Sequence, residues 1–294
     1  MTNTVRPRRS FLYVPGSNPR ALEKARSLGA DGLILDLEDA VAPDAKGSAR
    51  LTVAASVAAG GYGRRELLVR VNALATPWGR DDLVAAAKMA VDGVLLPKVE
   101  SVETIRQAEV VLAANDARDD LTIWCMMETP LGILRAPEIA GAGGRLGGLV
   151  MGTSDLAKDL NARQTHDRSP MLTSFGICLL AARAYGLAIL DGVHLDLADD
   201  AGFVAACRQG ADLGFDGKTL IHPKTIAPAN EIFGPSPDQV KWSRRVIAAH
   251  REALAKGQGV AVLDGQLIEQ LHVDSAVRVV ALAEAISGRT VPEG

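Results

Sequence analysis

Aromatic side chains are scarce in this chain. Phe, Tyr and Trp make up 4% of its 294 residues, too few for the stacking platforms that hold unpaired bases. Charge of one sign is also lacking: a net −3 at pH 7 leaves no basic footprint for nucleic acid. Cys125, Cys178 and Cys207 are far apart and odd in number, which excludes a disulfide framework and zinc-ligand spacing and points to structural thiols in a reducing compartment. No apolar run is long enough to span a membrane. The opening segment MTNTVRPRRS is polar and basic, without the apolar stretch of a signal peptide. Residues 1–8 therefore read as a flexible N-terminal arm of a cytoplasmic protein. Glycine-rich phosphate loops of the Rossmann or Walker type are absent, no serine sits in a nucleophile elbow, and the histidines are too scattered for a zinc site or a triad.

Hydrophobic residues, 48% of the chain, suffice for a large buried core. They fall in short runs separated by helical stretches. SFLYV from Ser10 is closed by Pro15-Gly16, and a helix capped near Asn18 runs to about Leu28. GLILDLED is followed by a helix over Asp44–Ala59, LLVRVN by one over Asp81–Met89, and GVLLPKV by one over Ser101–Ala114. TIWCMME precedes a short helix over Gly132–Ala140. GLVMG precedes a polar, irregular excursion over Lys158–Pro170 and a helix over Met171–Tyr185. AILDGV with Gly202–Leu213 and GKTLIHP with Lys224–Phe233 complete the series.

Strands buried on both faces and separated by helices predict a parallel sheet. Eight such units in residues 9–234 favour a closed (β/α)8 TIM barrel over an open doubly wound sheet. GPSPD from Gly234 is a linker. Residues 235–294 then predict a C-terminal extension: a charged helix over Asp238–Lys256, a hairpin turning at Asp264-Gly265, and a helix over Leu271–Ser287. About 60 residues are too few for a separate core, so the extension is expected to pack on the barrel or on a neighbouring subunit.

In such a barrel, chemistry gathers at the carboxyl ends of the strands. Two apolar runs lead to acids there, Glu128 and Asp155. An acid at the end of a buried strand is costly unless compensated. Two on nearby strands would make a hard-cation site, with waters and substrate oxygens filling the shell; the alternative is a pair of helix N-caps at Thr129 and Asp155. Asp36, Glu38 and Asp39 are too close to ionise together cheaply without a cation, unless they mark a helix N-terminus. Arg70 lies within the apolar strand LVRVN and requires an anionic partner. That partner is either a structural acid, Asp36 or Glu38, or a substrate oxyanion. Gly152, Thr153 and Ser154 form a turn whose N–H groups can hold a substrate carboxylate. Lys98 either binds substrate or pairs with Glu100, and His222, ahead of Pro223, reads as a structural hydrogen-bonder.

SFLYVPGSNPRALEKA, LILDLEDAV, LLVRVN, LLPKVE, METPLGIL, GTSDLA and GFDGKTLIHPKTIAPANEIF follow one another in that order. In these motifs, and over Arg9 to Ser287, the chain resembles the citrate lyase beta subunit / malyl-CoA lyase family. The resemblance implies a magnesium-dependent barrel enzyme, with manganese as an alternative ion, that makes or breaks a carbon–carbon bond beside a coenzyme A thioester. It implies Glu128 and Asp155 as metal ligands, and Arg70 as the group that steadies the thioester enolate oxygen. Glu38 and Asp39 match acids that orient the arginine and water at the metal. Tyr13 and Lys24 fall where coenzyme A is contacted, with Arg20 close enough to join Lys24 at a phosphate. A homotrimer or hexamer is implied, its tail closing a neighbour's active site. There is one departure. The family's G-K-L-I-D motif reads Gly265-Gln266-Leu267-Ile268-Glu269, so Glu269 keeps the carboxylate of the proposed acid/base but adds a methylene. The expected reaction is cleavage of a malyl- or citramalyl-CoA type thioester to an acyl-CoA and an α-keto acid, glyoxylate or pyruvate. The rivals are a malyl-CoA thioesterase, a citrate lyase beta subunit acting on a carrier-bound thioester, and a non-catalytic binding protein.

Overall fold

In the computed structural model, which describes residues 5–288, eight short strands alternate with helices. The strands are β1 (Ser10–Pro15), β2 (Gly32–Asp36), β3 (Glu66–Arg70), β4 (Gly93–Leu96), β5 (Thr122–Met127), β6 (Leu146–Met151), β7 (Ala188–Asp191) and β8 (Gly217–Leu220). Neighbours are parallel, and β8 returns to β1 with Lys218 opposite Ser10, so the sheet closes without an edge. The fold is the expected (β/α)8 barrel. The intervening helices are α1 (Pro19–Ala25), α2 (Lys46–Ala59), α3 (Gly79–Ala87), α4 (Val102–Ala113), α5 (Pro130–Leu134), α6 (Ala136–Ala140), α7 (Thr153–Asp159), α8 (Leu172–Ala184) and α9 (Asp200–Leu213); α10 (Ile226–Phe233) follows β8. None of the described helices is long and apolar enough to cross a membrane.

Residues two apart on a strand share a face, and this period builds the site. Phe11, Ile34, Leu68, Leu95, Trp124, Met126, Val150 and Leu190 form one buried cluster. The period puts Tyr13 in line with Phe11, Asp36 with Ile34, Arg70 with Leu68, and Glu128 with Trp124 and Met126. An apolar stack therefore gives way to a polar layer where the strands end. Phe11 fits because Gly32 faces it; a Cβ there would lie 2.3 Å from the ring. At the opposite end, Arg8 donates to Glu66 at 2.7 and 3.0 Å and lies 5.2 Å from the Trp124 ring centroid. The last residue of the expected arm is thus tied to the barrel, while residues 1–4 lie outside the described residues.

Three local expectations shift. β2 stops at Asp36 because that carboxylate accepts from the N–H groups of Glu38 and Ala40, at 2.9 and 3.2 Å, and turns the chain. The helix expected from Gly132 starts at Pro130, capped by Thr129, and is interrupted at Arg135. Pro137 accounts for the break, since its ring would meet the carbonyl four residues back in a continuous helix. The excursion from Lys158 begins inside α7, which starts at Thr153, two residues before the cap position that Asp155 offered.

Arg8–Asn230 form one compact unit, and Glu231 onward belongs to a second. Within the second, α11 (Pro237–Ala255), β9 (Ala261–Leu263), β10 (Gln266–Ile268) and α12 (Gln270–Ser287) contribute to a small buried cluster of Val246, Ala253, Ala261, Ile268 and Ala276. The hairpin turns where expected. Asp264 and Gly265 have φ of 49° and 78°, the left-handed pair that a tight hairpin turn uses.

Candidate active site

A guanidinium inside a barrel must be matched by anions. Asp36 lies directly opposite Arg70 in the β2–β3 register, and its two carboxylate oxygens accept from Arg70 Nε and Nη2, both at 2.7 Å. The turn after β2 adds Glu38 at 2.8 Å and Asp39 at 3.4 Å, both to Nη1. Tyr13 supplies a ring face 4.9 Å from the guanidinium carbon. The structural pairing and a role toward substrate are therefore compatible: Asp36 fixes the fork, and the guanidinium still lines the cavity. Lys46 holds the turn from below, its buried ammonium donating to the carbonyls of Leu37 and Glu38 at 3.0 and 2.7 Å.

Glu128 follows β5 and is 3% exposed. Its Oε1 accepts from the Lys98 N–H at 2.7 Å, while the adjoining Gly152 makes room for Oε2. A Cβ at Gly152 would come within 2.4 Å of both Glu128 Cβ and Oε2. Asp155 sits in the first turn of α7, whose N-cap is Gly152. The N-cap alternative thus holds for Thr129 but not for Asp155, which is left facing the cavity. That cavity measures about 360 Å³ and is lined by Tyr13, Arg70, Glu128, Gly152, Thr153, Ser154 and Asp155, among others.

The electrostatics favour a bound cation. Burial pushes the Glu128 carboxyl up to about 7, opposed by the Lys98 N–H and reinforced by Glu38 and Asp155. Glu38 is likewise pushed up to about 7 by burial, with Arg70 opposing and Asp39 and Asp36 adding. Burial also raises the Tyr13 phenol well above its ordinary value. For Lys98, burial works against the ammonium, but Asp155, Glu38, Glu128 and Asp39 outweigh it and raise its pKa. These acids, not Glu100, are what Lys98 faces. Among the described residues no group of three or more metal-ligating side chains occurs. Two hard carboxylates on an open cavity nevertheless suit an ion such as magnesium, which keeps waters and substrate oxygens in its shell.

The other candidates fall elsewhere. Arg20 and Lys24 are exposed and one helical turn apart on α1. Glu269 lies in the second unit at the N-cap of α12, with His272 Nδ1 accepting from its N–H at 3.0 Å. This gives Glu269 a local structural duty that the sequence reading did not assign. His222 caps a short turn, its Nδ1 accepting from the Lys224 N–H at 3.1 Å. Sequence reasoning missed the buried ion triad in which Asp191 accepts from Lys218 at 2.7 Å and from Arg168 at 2.7 and 2.8 Å. Its signals in the sequence are Lys218 inside β8 and Asp191 at the end of the apolar strand β7. The three cysteines are buried free thiols.

A family profile described as HpcH/HpaI aldolase/citrate lyase matches residues 9–223. A (3S)-malyl-CoA thioesterase of Cereibacter sphaeroides is 50% identical over 287 residues, covering 98% of each chain. An L-malyl-CoA/beta-methylmalyl-CoA lyase of the same species is 34% identical, covering 96% of each. The solved structure of the Mycobacterium tuberculosis protein CitE in complex with magnesium, acetoacetate and coenzyme A superposes with a TM-score of 0.75 at 31% identity, covering 94% of this chain and 97% of that one.

Proposed function

The chain belongs to the HpcH/HpaI aldolase/citrate lyase family, and on that premise we propose that it hydrolyses a malyl-CoA-type thioester at the cavity bounded by Arg70, Glu128 and Asp155. The observation that carries the choice of reaction is the 50% identity, over 98% of both lengths, to a malyl-CoA thioesterase, against 34% to a malyl-CoA lyase. Glu128 and Asp155 would hold a divalent cation, which supplies Lewis-acid polarisation of the hydroxy-acid or keto-acid oxygens.

Hydrolysis breaks the acyl C–S bond, places the hydroxyl of water on the acyl carbon and returns a proton to the thiolate. Negative charge develops on the thioester oxygen, and Arg70, pre-oriented by Asp36, is the cation that can stabilise it. Lys98 adds a second positive charge beside Asp155, Glu38, Glu128 and Asp39. Thr153 and Ser154 line the cavity where the acyl group would lie. Arg20 and Lys24 would receive coenzyme A phosphates, with Tyr13 beside the thioester arm. Glu269 is assigned proton transfer, contributed by a neighbouring copy in a homotrimer or hexamer; its exposed position at a helix start supports this.

Carbon–carbon cleavage is the second reading, favoured by one feature: Arg70 held by three acids against a cavity suits an enolate oxygen as well as a thioester oxygen. The test of the site is turnover of malyl-CoA with magnesium. Glu128→Gln and Asp155→Asn should fold and abolish thiol release. Retention of full activity by both would sink the assignment. Mixing inactive Glu269→Gln with inactive Arg70→Ala subunits should restore activity if Glu269 acts across an interface; verified mixed oligomers without recovery would remove it from that role.

A further inference from the structure

We propose that a second cavity beside the active site binds a small hydroxycarboxylate anion, the chemical class to which the acid released by hydrolysis belongs. That last identification rests on the hydrolytic reading; the site itself rests on geometry. The cavity measures about 190 Å³, room for a small organic acid, and shares Thr153 and Ser154 with the larger cavity. Its outer wall is the segment after α7. That segment is pinned rather than loose: Arg168 grips Asp191 at 2.7 and 2.8 Å, Gln209 at 2.7 Å and the Ala206 carbonyl at 3.0 Å. The pocket is therefore preformed.

One buried group in it is unsatisfied, and exposed polar groups stand beside it. His194 Nε2 is buried with no hydrogen-bond partner, which carries a free-energy cost unless something completes it. It lies 3.9 Å from Asp199 Oδ2, and His166 Nδ1 lies 3.7 Å from the same oxygen. Both separations are too long for direct hydrogen bonds and suit one bridging polar atom. A hydroxyl fits that gap, because it donates to the carboxylate and accepts from an imidazole N–H at once. Asp199 Oδ1 is meanwhile committed to capping α9 through the Gly202 N–H at 2.8 Å. Arg163 also lines the pocket and makes no hydrogen bond or ion pair to another described residue. A free guanidinium matches a carboxylate in a two-point fork. Hydroxyl at Asp199 and carboxylate at Arg163 together define the ligand class. The other acid in the wall, Asp196, is engaged locally, accepting from the Ala198 N–H at 2.9 Å.

The experiment is calorimetric titration of malate into the full-length protein in the presence of a chelator, so that no divalent ion supports binding at Glu128 and Asp155. Binding is expected. It should weaken about tenfold or more in Arg163→Ala and in His194→Gln, and persist in Glu128→Gln. Arg163 is exposed, so its variant should fold as wild type by circular dichroism. No binding of malate to the wild type overturns the proposal. So does binding that is weakened by Arg70→Ala but not by Arg163→Ala, because malate would then occupy the larger cavity. Thiol release from malyl-CoA is read separately, so failure of the second site and failure of the hydrolytic reading give different results.

Discussion

Replacing Glu128 by Gln should remove magnesium binding and, without the ion, stabilise the protein at neutral pH. The folded-state carboxyl is raised from 4.5 to about 7, chiefly by burial. Between those values the folded chain holds a proton that the unfolded chain has released. Stability from this group is therefore fully present below about pH 4.5 and is lost as pH rises through about 7. A shift of that size corresponds to about 3 kcal/mol, and at 3% exposure solvent screening does not erase it. Gln does not titrate, and its oxygen can still accept from the Lys98 N–H that now bonds Oε1. Denaturant midpoints measured in chelator at about pH 5 and about pH 8 should fall with pH for wild type, and fall less for Glu128→Gln by up to about 3 kcal/mol. Magnesium should restore wild type at the higher pH and leave the variant unchanged. Glu38, raised for a similar reason, is present in both proteins and contributes to both slopes. A variant no more stable than wild type in chelator at about pH 8 would show that the buried Glu128 carboxylate carries no such cost.

Gly152→Ala should weaken magnesium binding although Gly152 is no ligand, because its Cβ would displace the Glu128 carboxylate; strain of about 1–3 kcal/mol should also appear in thermal unfolding. Arg70→Lys should lower kcat far more than KM, since a single ammonium cannot hold both Asp36 oxygens and still face the cavity; equal kcat values for variant and wild type would disprove the role. Lys218→Met should destabilise by about 3 kcal/mol in chemical denaturation, leaving Asp191 with Arg168 as its one cationic partner among the described residues.

The barrel was legible because alternation between short apolar runs and helices survives in the sequence. The polar layer was legible for a related reason. Arg70 and Glu128 continue the inward period of apolar strands, and a charged side chain in such a place demands a partner. The partners were harder to read. Asp36 meets Arg70 through strand register, which joins residues 34 positions apart. Lys218, Asp191 and Arg168 come together from β8, β7 and the segment after α7. In the sequence Glu38 and Asp39 run straight on from the apolar strand, whereas the Asp36 side chain itself ends the strand. Asp155 resembles a cap in the sequence because a helix does begin nearby, but Gly152 takes the cap position, where its missing Cβ leaves Glu128 room. The spacing of Glu269 and His272 is that of a helix-start box, with His in the place where Glu or Gln is usual.

Thioester hydrolysis, the proposed reaction, predicts a product balance that carbon–carbon cleavage does not. Purified wild-type protein, incubated with magnesium and malyl-CoA, should release free thiol and malate in equal amounts, with no glyoxylate. Glyoxylate and acetyl-CoA in equal amounts, with no free thiol, would contradict it.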